Sequence, residues 1–174
     1  VGNSCVLLCP PEPNKTMVAW KISLSAGTNC SFSYRADRKT SKSNCSDNIS
    51  WKSRPHLDPT IEIQQVGLAD EGNYTCEVAT ADGNFYTRYH LTVLVPPRLL
   101  LHCDDRGNPV CEAVAGKPAA QISWVPESNS TKEEIHGKGT VTVLSKVRAC
   151  SSHLTNVTCV VLHPAGNQSK TIAC

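Results

Sequence analysis

The stretch Asp70-Glu71-Gly72-Asn73-Tyr74-Thr75-Cys76 decides the fold. Tyr74 and Cys76 alternate on one side of an extended strand, with an aspartate and a glycine just before them. A tyrosine two residues ahead of a core cysteine can turn its hydroxyl back onto upstream backbone, and the cysteine can then bridge to a facing sheet. Reading outward from this stretch, Cys9 lies upstream, with Trp20 about a dozen residues after it. The second half repeats the pattern as Cys111, Trp124 and Cys159. Asp70 is expected to pair with a base near the fourth long strand, either Arg54 or Lys52. In the second half Val157 takes the corner position, so that corner must close differently.

A cysteine, a tryptophan about one strand later and a distant second cysteine form the spacing of an immunoglobulin-like sandwich, in which the indole packs on the inter-sheet disulfide. Alternation supports an all-β chain. Val18, Trp20, Ile22 and Leu24 share one face; so do Tyr74, Cys76 and Val78, and so do Tyr89, Leu91, Val93 and Val95. Ile61 with Ile63, and Val141 with Val143, give shorter versions. The one helical signal is a single turn near Leu68–Glu71. The last strand of the first half, Phe85–Leu94, ends at Val95-Pro96-Pro97, where two prolines cannot continue a ladder. The expectation is two immunoglobulin-like domains in tandem. Residues 1–95 form a variable-type domain, because roughly forty residues separate Trp20 from Ile61, and its first strand is expected to be truncated because the sequence opens almost at the second strand; residues 96–174, with a shorter middle, form a constant-type domain.

Ten cysteines in 174 residues call for disulfides or a metal. The closest pairs, Cys5/Cys9, Cys103/Cys111 and Cys150/Cys159, lack C-x₂-C spacing, so disulfides in an oxidising compartment are expected and no metal site. Cys9–Cys76 and Cys111–Cys159 are the core bridges, and Cys30–Cys45 would staple an edge hairpin over Ser31–Asn44. Of the remaining four, Cys103–Cys150 is the favoured pair, both being placed at one end of the second domain, which leaves Cys5 and Cys174 far apart. Eight N-x-[ST] sequons, at Asn14, Asn29, Asn44, Asn48, Asn73, Asn129, Asn156 and Asn167, join the cysteines in indicating a glycoprotein of the cell surface or extracellular space. Asn29 and Asn44 each precede a cysteine, so disulfide closure competes with glycosylation there. With no leader and no apolar run of ~18–20 residues, the chain is expected to be the mature extracellular portion of a longer protein with its membrane span beyond Cys174.

A formal net charge of +2 gives no reason to expect nucleic acid as a partner. The six histidines have no i, i+4 pair and no H-E-x-x-H; G-x-S-x-G and P-loop patterns are missing as well. Asp104-Asp105 reads as a polar turn and Glu133-Glu134 as a solvated loop. No catalytic site and no cofactor are expected. Alternation instead points Lys21, Ser23, Thr75, Glu77, Ala79, Arg88 and His90 outward, beside a tip loop Thr80–Phe85 that carries Asn84 and Phe85. No sequon falls between Val78 and His90, so this face is the expected docking surface; the plainer alternative is a merely solvated sheet. Phe85 is either an exposed anchor or a cap on the core. Trp51 allows burial or exposure.

Four segments carry a resemblance: Val110-Cys111-Glu112-Ala113-Val114-Ala115-Gly116-Lys117-Pro118-Ala119-Ala120-Gln121-Ile122-Ser123-Trp124, Val6-Leu7-Leu8-Cys9-Pro10-Pro11, Asp82-Gly83-Asn84-Phe85 and Gly139-Thr140-Val141-Thr142-Val143. Together they resemble the receptors for the OX-2 membrane glycoprotein, the cluster-of-differentiation-200 receptors, over nearly the whole chain. The resemblance implies a type I cell-membrane immune receptor of myeloid cells and some lymphocytes, in a paired inhibitory and activating set. It implies a cell-surface protein ligand, OX-2 glycoprotein or another, and for activating members a membrane signalling adaptor engaged through the transmembrane segment. Ser128-Asn129-Ser130, where the founding receptor carries a further cysteine, and Tyr86-Thr87-Arg88 depart from its pattern and mark a receptor-like relative. An adhesion molecule or soluble decoy that binds without signalling is the alternative.

Overall fold

Strands form where apolar and polar residues alternate, and their inward residues become the core of a first unit, Val1–Val93. The computed structural model describes residues 1–148 and 156–174. In the first unit β1 (Cys5–Leu7), β2 (Lys15–Leu24), β3 (Asn29–Arg35), β4 (Thr40–Ser43), β5 (Ile49–Trp51), β6 (Ile61–Ile63), β7 (Gly72–Thr80) and β8 (Gly83–Leu91) make two antiparallel sheets. One has the order β1-β6-β5 and the other β4-β3-β2-β7-β8. The extra pair β3 and β4 on the β2-β7-β8 side is what distinguishes a variable-type domain.

Trp20, fully buried, sits beside Cys76 in the β2–β7 register and donates its indole N–H to the Pro59 carbonyl at 2.8 Å. Cys76 crosses to Cys9, just past β1 in the facing sheet. Tyr74 donates its hydroxyl to the Asp70 carbonyl, closing the corner. Burial, and then the Asp70 carboxylate, hold the Tyr74 phenol well above its ordinary value, so it stays a donor. Gly72 is required by close approach: a Cβ there would lie 2.7 Å from Leu24 Cα, with the Ser23 carbonyl oxygen closer still. A 3₁₀ turn occupies Leu68–Asp70. Trp51 packs under the edge strands, tilted against Phe32 with ring centroids 4.5 Å apart. Cys30 bonds Cys45 across the β3–β4 edge, and Cys5 keeps a free thiol whose pKa burial raises.

Neither Arg54 nor Lys52 is the partner of Asp70. Its carboxylate instead accepts from the Asn48 side-chain amide at 3.1 Å and from the Gly67 backbone N–H at 2.8 Å. Asn48 immediately precedes β5 and bonds the Gln64 backbone just past β6, which delivers its amide to the 3₁₀ turn.

The second unit, Leu94–Cys174, contains β9 (Arg98–Cys103), β10 (Pro109–Gly116), β11 (Gln121–Val125), β12 (Ser130–His136), β13 (Val141–Val147), β14 (Val157–Leu162) and β15 (Gln168–Ile172). Its sheets, β12-β13-β10-β9 and β11-β14-β15, have the four-plus-three arrangement of a constant-type domain. Cys111 on β10 bonds Cys159 on β14 across the core. Trp124, beside Cys159 in register, donates across the sandwich to buried Ser145 at 2.9 Å. Glu133 and Glu134 lie within the exposed edge strand β12 rather than in a loop, because their neighbours pair in unbroken register with β13. Asp104 caps the turn to β10; the Lys146 ammonium and the Asn108 N–H beside it hold its carboxyl well below the usual range.

Cys103 bonds Cys174, not Cys150, which lies outside the described residues. The reason is the course of β15. Gln168 donates to the Pro97 carbonyl and Lys170 to the Leu99 carbonyl, each at a separation of 71 residues. The disulfide falls at that same separation, so β15 runs alongside β9 in the same direction and brings Cys174 to within 5.9 Å (Cα–Cα) of Cys103. Replacing both cysteines by alanine is expected to lower the stability of this unit by about 2–4 kcal/mol, since the bridge closes a long loop in the unfolded chain. Urea unfolding followed by tryptophan fluorescence checks this, and an unchanged midpoint would refute it.

Candidate ligand-binding face

The outer face of β3-β2-β7-β8 is a grid whose rows follow from the strand registers. Arg35, Met17, Ala79 and Asn84 form the first row; Ser33, Ala19, Glu77 and Tyr86 the second; Ser31, Lys21, Thr75 and Arg88 the third; Asn29, Ser23, Asn73 and His90 the fourth. The β7–β8 registers are set by a turn of only two residues, Ala81-Asp82, so most of the expected tip loop Thr80–Phe85 is strand. Thr80 closes the turn, donating its hydroxyl to the Gly83 carbonyl at 2.9 Å.

Glu77 organises the first three rows. Its side chain is 13% exposed, and its carboxylate meets Lys21 Nζ at 3.2 Å, Asn84 Nδ2 at 3.2 Å and the Tyr86 hydroxyl at 3.2 Å. The Arg88 guanidinium lies 5.5 Å from the Tyr86 ring centroid. A partly buried carboxylate thus holds a lysine, an amide and a tyrosine 53% exposed in fixed positions. Such an array can offer an amphipathic aromatic flanked by two cations to a protein surface.

Three members of the expected face, Phe85, Ser23 and His90, stand apart from this array. Phe85 pairs with core-facing Val78, so it stands on the opposite side of the sheet from Asn84 and Tyr86, half exposed past the end of the core. Ser23 and His90 lie in the fourth row, between the sequon asparagines Asn29 and Asn73, and Asn73 Oδ1 is 2.8 Å from His90 Nδ1. Asn73 is in phase with Thr75 and Glu77 on β7 and so lies on this face, and the two-residue turn sets it opposite His90. A groove of about 500 Å³ at this end is lined by Ser23, Asn29, Asn44 and Asn73 among others. Asn44 is fastened beside it, its side-chain oxygen accepting from the Ser31 N–H at 2.7 Å. Exposed Asn14 precedes β2 at the opposite end. Tyr86 is the residue that alternation alone passed over, although it is in phase with Asn84 and Arg88.

A variable-type sandwich bearing a preorganised polar–aromatic array on its β2-β7-β8 sheet, followed by a constant-type sandwich, is an immunoglobulin-superfamily ectodomain. Comparison with known proteins narrows this. The immunoglobulin V-set domain model matches residues 1–95. Over its full length the chain is 56% identical to cell surface glycoprotein CD200 receptor 1-B of Gallus gallus and spans 72% of that protein. It is 46% identical over 99% of its length to CD200 receptor 1 of Bos taurus, of which it spans 50%. The solved extracellular portion of mouse CD200RLa superposes with a TM-score of 0.92 at 39% identity, covering 98% of this chain and 94% of that one. The chain belongs to the CD200 receptor family, whose members are immunoglobulin-fold cell-surface receptors and not enzymes. Among the described residues no helix is long and apolar enough to cross a membrane.

Proposed function

We propose that this chain is the ligand-binding ectodomain of a type I immune receptor of myeloid cells, and that it binds the OX-2 (CD200) glycoprotein through the first three rows of the β3-β2-β7-β8 face. Residues 1–95 supply the binding domain and residues 96–174 the constant-type domain. The observation that carries this reading is the array fixed by Glu77, with Tyr86 exposed at its centre and Lys21 and Arg88 beside it. Glycans at Asn14, Asn29, Asn44 and Asn73 would flank these rows, and their bulk would confine a protein partner to the space between them. Family membership supports a paired inhibitory and activating set, with activating members coupled to a membrane adaptor.

The test is surface plasmon resonance of the glycosylated chain against purified OX-2 ectodomain. Saturable binding is expected. Its absence would overturn the ligand assignment and direct the search to another cell-surface protein.

A further inference from the structure

Seven of the eight sequons read simply as candidate acceptors; Asn48-Ile49-Ser50 does not. Asn48 is partly buried, and every polar atom of its amide is engaged. Nδ2 donates to Asp70 Oδ1 at 3.1 Å and to the Gln64 carbonyl at 3.3 Å, while Oδ1 accepts from the Ser46 hydroxyl. The orientation of this amide is unambiguous, because a carboxylate and a backbone carbonyl can only accept and so must face the nitrogen. Its main partner matters. Asp70 is 8% exposed, and its other carboxylate oxygen is taken by the Gly67 N–H at 2.8 Å. A buried carboxylate stripped of a donor is costly. By contrast Asn29, Asn44 and Asn73 are exposed, and the side-chain hydrogen bonds of Asn44 and Asn73 use Oδ1.

We infer that Asn48 is a structural residue, the neutral donor that holds the buried Asp70 carboxylate at the tyrosine corner, and that its sequon is silent in the folded protein. N-glycosylation replaces one Nδ2 hydrogen with the anomeric carbon of N-acetylglucosamine. One remaining N–H cannot serve both Asp70 and Gln64, and the sugar ring would need the space that one of them fills. A nascent chain modified here would lose the link between the start of β5, the end of β6 and the 3₁₀ turn. Unmodified chains are therefore the ones that fold.

The test combines glycopeptide mass spectrometry of the whole chain, secreted from mammalian cells, with thermal melting of three variants. The peptide containing Asn48 is expected unmodified. Ser50→Ala removes the sequon but not the amide, and is expected to leave glycoform mass and melting temperature unchanged. Asn48→Asp sets a second carboxylate against Asp70 and is expected to lower the melting temperature by roughly 4–8 °C or more, or to prevent secretion. Asn48→Arg restores a donor, now charged, and is expected to be secreted with a melting temperature well above that of Asn48→Asp. A glycan on Asn48 in the folded protein, or a Ser50→Ala variant lighter by one glycan, would overturn the inference. So would an Asn48→Asp variant that melts like the parent.

Discussion

Trp20→Ala is expected to remove about 3–5 kcal/mol from the first unit, the usual cost of deleting a large buried aromatic. The indole is fully buried, lies beside the Cys9–Cys76 bridge and stacks on Tyr89 with ring centroids 6.3 Å apart. Its N–H also satisfies the Pro59 carbonyl, so truncation leaves both a cavity and an orphaned acceptor. Domains of this size are stable by only about 5–15 kcal/mol, so the variant should melt far below the parent or fail to be secreted. Near-UV circular dichroism during heating reads this directly. Melting within about 2 °C of the parent, on the scale at which 1 kcal/mol moves such a domain several degrees, would refute the central place given to Trp20.

The second large effect concerns binding. Glu77→Arg should abolish measurable association with OX-2 ectodomain, because it removes the shared partner of Lys21, Asn84 and Tyr86 and places a third cation between Lys21 and Arg88. Tyr86→Ala leaves that carboxylate in place and removes only the exposed ring. A central aromatic anchor is worth about 2 kcal/mol or more, so at least a roughly 30-fold loss of affinity is expected. Ser23→Ala, in the row between the sequon asparagines, should change affinity little. Unaltered binding by both Glu77→Arg and Tyr86→Ala would move the docking surface elsewhere, whatever the ligand proves to be.

How much of this was legible in the sequence depended on whether a feature was local. Period-two alternation marked the core faces of β2 and β7, and the Asp70-to-Cys76 stretch with its upstream Cys and Trp carried the fold class, because those patterns lie within a strand or its immediate neighbours. The partner of Asp70 was not legible. A base was the natural expectation, but what reaches the carboxylate is set by how β5 and β6 return the chain past the 3₁₀ turn, and Asn48 occupies that point. The Cys103–Cys174 bridge was hidden for a related reason, since the offset between two strands running the same way has no turn to reveal it. Asn73 on the docking face was closer to hand. Its phase with Thr75 and Glu77 puts it on the outward face, and taking Ala81-Asp82 as a two-residue turn places it opposite His90 and Tyr86 opposite Glu77; treating six residues as loop concealed those pairings.

The alignment of β15 with β9 has a mechanical consequence. A pull applied at residue 174 does not first peel the terminal strand away one hydrogen bond at a time. The load passes through the sulfur bridge into Cys103, so β9 and β15 are drawn together and must slide against the rest of the sandwich in shear. Reduction of that one bond would turn the same end from a clamp into a zipper.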